Sequence, residues 1–440
     1  MVTHEKAKAG AAAAKAMLSV SRPTKDAALK LAAERLTDSS AAVFDANRAD
    51  VEAARAAGAP DPVLARLGYG PKKLEESVAM LAAVAALPDP SGIVLEARRL
   101  DSGLTLRRVS CPIGLIALIF ESRPDALVQM AALAAKSGDA IIVKGGREAE
   151  RTNRVLAAIV ARAGVDAGLP DGWLGQLETR DEVAELLKLD SLVDLVIPRG
   201  SNEFVRHIME TSRIPVLGHA NGVCHVYVHG DADLGMAARV AVDSKAQYPA
   251  ACNAAETLLV DASIAGRALP RLASALEAAG VTLDLCPRSD AILGPGAGRR
   301  AKCDDDWSVE YLEPRMAVRV VDSLGEAVSH INRYGSGHTD AIVCSSAEAA
   351  RRFMDEVDSA SVFHNASTRF ADGYRYGLGA EVGISTGKLH ARGPMGMDGL
   401  LTYKWKLEGA GQIVADYASG AKKFEHADID AEKGTRYGER

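Results

Sequence analysis

The stretch IGLIALIFESRPDALVQMAALAAKSGDAIIVK, residues 113–144, decides the predicted fold. It opens with an apolar run over 113–120, passes through a helical pattern over 125–136 and closes with a second apolar run over 140–144. Short apolar runs separated by amphipathic helices are typical of parallel strands that are buried on both faces. The stretch therefore predicts strand, helix and strand in one parallel sheet.

The same alternation continues on both sides of this stretch. Helices are predicted at 25–36 with Thr24 as the N-cap, and at 74–87, 148–163, 182–188 and 202–212. Strands are predicted at 104–109, 192–197, 214–217, 224–229, 257–260, 316–321 and 340–344. Two successive regions of this kind indicate an α/β protein with a cofactor domain followed by a catalytic domain.

Composition and charge exclude several classes of protein. A chain of 440 residues corresponds to about two or three domains. The net charge is −6 and the basic residues are scattered, so no nucleic-acid partner is expected. The longest apolar run, 113–120, is far shorter than the ~20 residues of a membrane span. The N-terminus lacks a signal-peptide pattern, and the six widely spaced cysteines fit free thiols in the cytoplasm.

Familiar ligand motifs are missing from the sequence. The glycines at 377–383 and 294–298 have the wrong spacing for a GxGxxG dinucleotide loop, and there is no Walker A loop. Cys224, His225 and His229 are close in sequence, but a strand places the two histidines on one face and the cysteine on the other. No metal is therefore expected.

Cys252 stands in YPAACNAA, residues 248–255, a loop-like stretch of small residues before a predicted strand. Local context alone leaves two interpretations open, a nucleophile or a buried inert thiol. The sequence around it resembles the nucleophile segment of the aldehyde dehydrogenase superfamily, and most of all its γ-glutamyl phosphate reductase branch. The resemblance runs from about 99 to 405, through PIGLIALIFESRPDALVQ (112–129), VIPRGSN (196–202), CHVYV (224–228), YPAACNAAETLLV (248–260), INRYGSGHTDAIV (331–343) and NASTRFADGYRYGLGAEVGISTGKLHARGPMG (365–396).

This resemblance implies an aldehyde dehydrogenase-like fold of two α/β domains with a small β oligomerisation arm. An NADP-binding domain is expected over 1–222 with an arm strand near 100–111, a catalytic thiol domain over 223–395, and a return to the cofactor domain with an oligomerisation tail over 396–440. A homodimer or homotetramer is expected. The tail after Tyr417 is polar, which indicates either fraying or subunit contact.

The resemblance also assigns roles to individual residues. Cys252 is the expected nucleophile, and Ser122 is nearest the position of the oxyanion asparagine. The expected cofactor is NADPH, held by Lys144, Arg147, Gly200, Ser201, Glu310 and Pro314. The expected substrate contacts are Arg123, Asn253, Asn365, Arg369 and Arg392. For the three arginines a structural bridge or a subunit salt bridge is an equal alternative.

The activity implied is reduction of L-glutamyl 5-phosphate to glutamate 5-semialdehyde in proline biosynthesis. Some of the matched stretches also resemble the reductase half of fused pyrroline-carboxylate synthases. The kinase half is absent from this chain, so a separate glutamate 5-kinase is the expected supplier of substrate. Hydrolytic aldehyde dehydrogenases carry a general-base glutamate about thirty-four positions before the cysteine, whereas residues 217–222 contain no carboxylate.

Three alternatives remain at this point. The missing glutamate argues against a hydrolytic aldehyde dehydrogenase, and the lack of a basic run argues weakly against a CoA-acylating one. A non-catalytic member of the fold that assembles or regulates a partner is the third. The presence of Cys252, Lys144 and Glu310 argues against that reading.

Overall fold

The computed structural model describes residues 2–121, 123–219, 221–302, 306–378 and 381–438. Ser122, the predicted oxyanion residue, lies outside the described residues, as does Cys303. The other five cysteines are free thiols. No helix within the described ranges combines the length and the hydrophobicity that a bilayer crossing requires.

The α-helices of the described residues are, in chain order, α1 (Val2–Met17), α2 (Arg22–Asp38), α3 (Ser40–Ala56), α4 (Asp61–Leu67), α5 (Pro71–Ala86), α6 (Pro124–Ser137), α7 (Glu150–Asp166), α8 (Arg180–Leu186), α9 (Asn202–Thr211), α10 (Leu234–Ala246), α11 (Ala265–Ala278), α12 (Pro287–Leu293), α13 (Leu324–Tyr334), α14 (Ala347–Glu356) and α15 (Val414–Ala418). Short 3-10 helices cover Arg147–Ala149, Thr368–Phe370, Met397–Leu400 and Asp430–Glu432.

The strands are β1 (Val94–Asp101), β2 (Leu104–Pro112), β3 (Leu115–Phe120), β4 (Ala140–Lys144), β5 (Leu174–Gln176), β6 (Leu195–Arg199), β7 (Cys224–Val228), β8 (Ala255–Asp261), β9 (Thr282–Leu285), β10 (Arg299–Ala301), β11 (Arg315–Val321), β12 (Thr339–Val343), β13 (Ser361–His364), β14 (Gly383–Ser385), β15 (Gly393–Met395), β16 (Leu401–Glu408) and β17 (Ala427–Asp428).

The chain divides into two compact units, the first formed by 1–217 and 396–440 and the second by 218–395. The core of the first unit is a parallel sheet in the order β5-β4-β3-β6. Every residue of β3 is buried, as is nearly every residue of α6. α6 ends at Gly138, whose φ of 92° is the left-handed conformation that glycine adopts readily at a helix end.

The first unit also carries an antiparallel sheet in the order β16-β2-β1-β17. β17 comes from the polar tail and pairs with β1, with Arg98 opposite Asp428. Further along, the N–H of Tyr437 donates to the carbonyl of Gly92 over 2.8 Å. The prediction that this tail frays is therefore wrong at these positions, because its backbone groups pair with β1 and the segment before it.

The second unit is built on a seven-stranded parallel sheet in the order β10-β9-β11-β8-β7-β12-β13. Alternate residues of β7 face opposite sides, as a strand requires. Val226 and Val228 join an apolar cluster with α10 and α11, while Tyr227 joins a cluster with α13 and α14. The predicted α/β class is confirmed, and each unit has a buried parallel sheet of its own.

Two local predictions are wrong. The N-cap of α2 is Ser21 rather than Thr24, because Oγ of Ser21 accepts the N–H of Thr24 over 3.3 Å. Residues 214–217 do not form a strand beyond one isolated bridge between Val196 and Val216. Pro215 within that segment has no N–H to donate to a sheet. The predicted domain boundary at 222/223 lies five residues after the observed division at 217/218.

Candidate active site

Cys252 lies in the loop that joins α10 to β8, and it is half-buried. Two backbone bonds make this loop a compact turn. The N–H of Ala251 donates to the carbonyl of Tyr248 over 3.2 Å, and the N–H of Ala254 donates to the carbonyl of Ala251 over 2.9 Å. Because the next residue, Ala255, already belongs to the buried strand β8, the turn presents the thiol from a rigid base.

Residues 222–224, at the start of β7, pack against the Cys252 peptide. The thiol of Cys224 donates to the carbonyl oxygen of Cys252 over 3.3 Å. A β-carbon at Gly222 would overlap the carbonyl group and Cα of Cys252. Only glycine therefore allows residues 222–224 to approach the Cys252 loop this closely.

The surroundings of the thiol keep it protonated at neutral pH. Burial, together with the negative charges of Glu381 and Glu310, raises the pKa of Cys252 to about 12. Arg369 and the Cys252 backbone N–H act in the opposite direction and are weaker. Since the thiolate is the reactive form, a nucleophilic role requires a group that accepts the thiol proton.

Two imidazoles stand beside the sulfur. One ring nitrogen each of His219 and His338 lies within 4.8 Å of the other and of Sγ of Cys252. The two rings meet edge to face with 4.9 Å between their centres. His338 is buried directly before β12, and burial holds its pKa well below the usual value. His338 is thus a neutral imidazole that is a poor proton acceptor but can bind a cation through a nitrogen lone pair.

Glu310 accepts a hydrogen bond from the backbone beside Cys252. The N–H of Gly222 donates to Oε1 of Glu310 over 2.9 Å. The backbone N–H groups of the next two residues, Tyr311 and Leu312, lie close enough to the Glu256 carboxylate to favour its charged form. Glu256 pairs with Lys245 over 2.6 Å, and both side chains are fully buried. Burial raises the pKa of Glu256 to about 7 and lowers that of Lys245. This buried pair therefore lies beside the loop that carries Glu310.

Two of the predicted substrate residues lie near Cys252. Asn253 directly follows it, and its Nδ2 donates to the carbonyl of Ala371 over 2.8 Å. The Arg369 guanidinium is buried, donates from Nε to Oε1 of Gln247 over 2.9 Å and lowers the pKa of Cys252 by its charge. Arg369 therefore places a cation beside the sulfur, although its contact with substrate stays a prediction.

Asn365 and Arg392 make structural contacts instead. Asn365 has a φ of 56°, and its side-chain amide bonds both the N–H and the carbonyl of Cys344, over 3.0 and 2.9 Å. Arg392 donates to Oδ1 and to the carbonyl of Asp358, over 3.0 and 2.9 Å. The Asn365 amide and the two terminal nitrogens of Arg392 are engaged in these contacts, and a substrate contact by either residue stays a prediction.

The predicted cofactor residues of the first unit surround the ends of β4 and β6. Lys144 is the last residue of β4 and is half-buried, and burial lowers the pKa of its ammonium group. Arg147 begins the 3-10 helix that follows and is exposed. Open α/β sheets bind ligands at the carboxyl ends of their parallel strands. The position of Lys144 therefore fits a cationic side chain that contacts a cofactor.

Gly200 and Ser201 form the turn before α9, where a pyrophosphate was predicted. A carboxylate is already there, since the N–H of Ser201 donates to Oε2 of Glu121 over 2.8 Å. A β-carbon at Gly200 would overlap this same carboxylate. The turn thus binds an anion as expected of a helix start, but in the described conformation the anion is the protein's own.

The remaining predicted residues are more peripheral. Arg123 is the exposed N-cap of α6, and its side chain makes no capping bond. Pro314 lies just before β11, where its carbonyl accepts the N–H of Thr282 over 2.9 Å. His338 and Glu381 received no role from the sequence, although both stand inside stretches that carry the resemblance. A histidine beside a buried strand gives no distinct signal until its spatial neighbours are known.

Comparison with known proteins gives consistent matches. The family model for the aldehyde dehydrogenase family matches residues 78–303. The γ-glutamyl phosphate reductase of Pelotomaculum thermopropionicum is 53% identical over 410 residues, which cover 93% of this chain and 94% of the relative. That of Acetivibrio thermocellus is 50% identical over 402 residues, covering 91% and 92%.

A solved structure is similar over nearly the same length. The crystal structure of γ-glutamyl phosphate reductase from Thermotoga maritima aligns with a TM-score of 0.90 at 36% identity, and covers 93% of this chain and 99% of its own. An identity above one third with near-complete coverage on both sides extends the similarity to both units of the chain.

Proposed function

Because this chain belongs to the γ-glutamyl phosphate reductase family of aldehyde dehydrogenases, we propose that it reduces L-glutamyl 5-phosphate to L-glutamate 5-semialdehyde and phosphate, using NADPH, through a thioester on Cys252. This reaction is a step of proline biosynthesis. The observation that supports it most is the half-buried Cys252 in a rigid turn, with two imidazoles within 4.8 Å and Arg369 beside it.

The first step activates the thiol. His219 accepts the proton of Cys252, and the thiolate attacks the γ-carbonyl carbon of the acyl phosphate. The C–O bond to phosphate then breaks and phosphate leaves, which gives the thioester. The backbone N–H of Cys252 stabilises the oxyanion, a contribution that is typically about 3 kcal/mol for one such donor.

The second step reduces the thioester. The family uses a nicotinamide cofactor, and NADPH, when bound, would supply the hydride that reduces the thioester carbon. Lys144, with Arg147 near it, is the residue of this chain that fits a 2′-phosphate. The C–S bond then breaks, the aldehyde leaves and Cys252 regains its proton from the imidazole. Glu310 and Pro314 are proposed to contact the nicotinamide ribose, and Gly200 and Ser201 the pyrophosphate.

The stretch 217–222 contains His219 but no carboxylate that would serve as a strong base for water. A reductase of an acyl phosphate benefits from this, because hydrolysis of the thioester wastes the activated substrate. Arg369 is proposed to attract the phosphate or carboxylate of the substrate, with Arg123 and Arg392 as further candidates. A separate kinase is proposed to supply the acyl phosphate.

The test is the reverse reaction, in which the purified chain oxidises glutamate semialdehyde and NADP reduction is followed. We expect the rate to depend on inorganic phosphate, or on arsenate in its place, with a hundredfold or larger loss of rate when phosphate is removed, as expected for a missing general base. A rate that is maximal without phosphate would indicate a hydrolytic enzyme. A rate restored by CoA rather than phosphate would indicate an acylating one.

A pair of variants locates the nucleophile. Cys252→Ala is expected to lose at least about a hundredfold in rate, the scale seen on removal of a nucleophile, while it still binds NADPH. Cys111→Ala is the matched control, because Cys111 lies on β2 in the other unit. Similar rates for both variants would disprove the assignment of Cys252.

A further inference from the structure

The group formed by His219, Cys252 and His338 has the composition of a metal site. One ring nitrogen of each histidine and Sγ of Cys252 lie within 4.8 Å of one another. His338 is buried, and the other two residues are half-buried. The three come from separate parts of the second unit: the segment before β7, the loop before β8 and the start of β12. The fold thus brings together ligands that are distant in sequence.

His338 supplies an independent observation. Its side chain is 1% exposed, and its Nδ1 shares a hydrogen bond with Oγ1 of Thr339 over 2.8 Å. The other ring nitrogen, Nε2, is buried and has no hydrogen-bond partner among the described residues. Buried polar atoms in folded proteins nearly always have a hydrogen-bond partner, so a ligand is expected beside this nitrogen.

His219 is oriented as a metal ligand would be. Its Nδ1 lies 2.9 Å from the carbonyl oxygen of Ile384. A carbonyl only accepts hydrogen bonds, so Nδ1 carries the proton and the lone pair of the neutral ring is on Nε2. Metal-binding histidines commonly donate their second nitrogen to a backbone carbonyl in this way, which fixes both the tautomer and the direction of the ring.

The donor set selects the kind of cation. One thiolate and two imidazoles suit Zn²⁺, whereas Mg²⁺ and Ca²⁺ prefer oxygen ligands. With Zn–N near 2.0 Å and Zn–S near 2.3 Å, the ligands of a tetrahedral zinc ion are about 3.3–3.6 Å apart. The present separations, of up to 4.8 Å, are larger, so side-chain movements that shorten them by about 1.2–1.5 Å would complete the site.

We propose that Cys252, His219 and His338 form a binding site for Zn²⁺ or a similar thiophilic divalent cation. Binding forms a bond from Sγ to the metal and two from the imidazole nitrogens, and it releases the thiol proton to solvent. No electron is transferred, and removal of the metal restores the thiol. The fourth position of the ion stays open to water or to an anion.

The consequence for activity rests on the proposed function. A metal on Sγ occupies the electron pair that attacks the acyl phosphate, so the cation is expected to inhibit reversibly. Binding of the metal itself does not depend on that function. It can therefore be measured in the absence of substrate and cofactor.

The experiment uses the full chain after treatment with EDTA. Zn²⁺ binding is measured by calorimetry, and Co²⁺ is used as a spectroscopic substitute that reports a thiolate ligand through its charge-transfer band. We expect one ion per chain, a thiolate–cobalt band, and at least a tenfold loss of affinity in each of Cys252→Ser, His219→Ala and His338→Ala. His207→Ala, an exposed histidine on α9, is the matched control and should bind like the wild type.

The thermal midpoint of each variant identifies any that fail to fold, and His338→Gln replaces His338→Ala if the latter does. The absence of a thiolate band, or unchanged affinity in any of the three ligand variants, would overturn the proposed site. Phosphate-dependent turnover of the EDTA-treated chain is a separate measurement that needs no metal. The proposed metal site and the proposed function can therefore fail independently of each other. Zinc binding that requires both histidines would support the site. Zinc inhibition of turnover that EDTA reverses would support its effect on activity.

Discussion

The surroundings of Cys252 shift the pKa of its thiol in opposite directions. Burial and the charges of Glu381 and Glu310 raise this pKa, while Arg369 lowers it. The protein therefore keeps the thiol protonated until another group takes the proton. Because alkylation and oxidation also need the thiolate, this arrangement protects the sulfur between turnovers.

Gly222 gives the sharpest prediction for a single residue. Gly222→Ala is expected to reduce turnover by at least tenfold and to lower the thermal midpoint, because the new β-carbon would overlap the Cys252 peptide. Moving that peptide by about 1 Å misplaces the thiol, and misplacement on this scale can cost about a hundredfold in rate. Steady-state kinetics and a thermal melt measure the two effects.

Gly266→Ala is the matched control for this substitution. Gly266 lies in α11 of the same unit, and a β-carbon there would meet no atom within 4 Å. Alanine in a helix is favoured over glycine, so the control should keep its activity and gain up to about 1 kcal/mol in stability. If Gly222→Ala behaved like this control, the close approach to Cys252 would have no functional role.

The sequence predicted Cys252 as the nucleophile but did not indicate which side chains lie beside it. The loop-like context of small residues and the matched stretch around Cys252 were sufficient for that prediction. His338 stands in a matched stretch too, yet its meaning depends on meeting His219, which is 119 residues earlier in the chain. No local pattern carries that distance. For the same reason the sequence did not reveal that Asn365 bonds the backbone of Cys344.

At the level of elements, the turn before α9 is an anion site with an internal occupant. The Glu121 carboxylate accepts the Ser201 N–H over 2.8 Å, at the position proposed for the cofactor pyrophosphate. Two anions at one helix start repel each other. Glu121→Gln is therefore expected to tighten NADPH binding by roughly three- to tenfold, which corresponds to about 1 kcal/mol. Fluorescence titration of the cofactor measures this change.

Lys144→Ala provides the comparison of opposite sign. Loss of this cation at the end of β4 should weaken NADPH more than NADH, because only NADPH carries the 2′-phosphate. Glu121→Gln should act on both cofactors alike, since both contain the pyrophosphate. Weaker binding of both cofactors in Glu121→Gln would show that this carboxylate supports the turn rather than competing for it.

β16 is the second element with an open question, because it is an edge strand of the antiparallel sheet. It exposes Tyr403, Trp405 and Leu407 on one face. Long apolar edge strands are normally covered. We expect self-association through this strand, and the double change Trp405→Glu with Leu407→Glu should shift the sedimentation coefficient toward the monomer. Leu18→Glu, at another exposed leucine, should leave it unchanged. A wild type that sediments as a monomer would contradict this expectation.

The accuracy of the element predictions follows from how much each element depends on its own residues. The runs that became β3 and β4 were recognisable because strands buried on both faces must be apolar throughout. The run 214–217 has a similar composition but forms only one bridge, since the edge of a sheet and the proline decide its pairing. The pairing of β17 with β1 joins segments over 300 residues apart, which periodicity alone does not show.

At the scale of the whole molecule, the two units keep titratable groups in their buried interiors. In the first unit Asp139 is completely buried, and it accepts the N–H of Gly114 over 2.8 Å and the hydroxyl of Ser137 over 2.5 Å. Burial nevertheless raises its pKa from 3.8 to about 7. In the second unit the same cause raises the pKa of Glu256 to about 7. The stability of the chain should therefore depend on pH below about 7, in a range where exposed carboxylates are already ionised and do not titrate.

The sign for Asp139 follows from linkage. Its pKa in the folded chain, about 7, is above the value of 3.8 for the unfolded chain, so the folded state binds more protons between these values. The free energy of unfolding therefore falls as pH rises through this window and levels off above it. Because Asp139→Asn does not titrate, the difference between wild type and variant should decrease by about 2–3 kcal/mol from pH 5 to pH 8.

Urea unfolding at pH 5, 6, 7 and 8 measures this difference, and Asp190→Asn is the control because Asp190 is exposed. The control should run parallel to the wild type at every pH. In Asp139→Asn the side chain can still accept the Gly114 N–H. The changed bond to Ser137 shifts the free energy of unfolding by the same amount at every pH, so it does not affect the slope against pH. Equal slopes for wild type and Asp139→Asn would mean that Asp139 stays ionised in the folded chain. Its bonds to backbone and hydroxyl donors would then outweigh its burial.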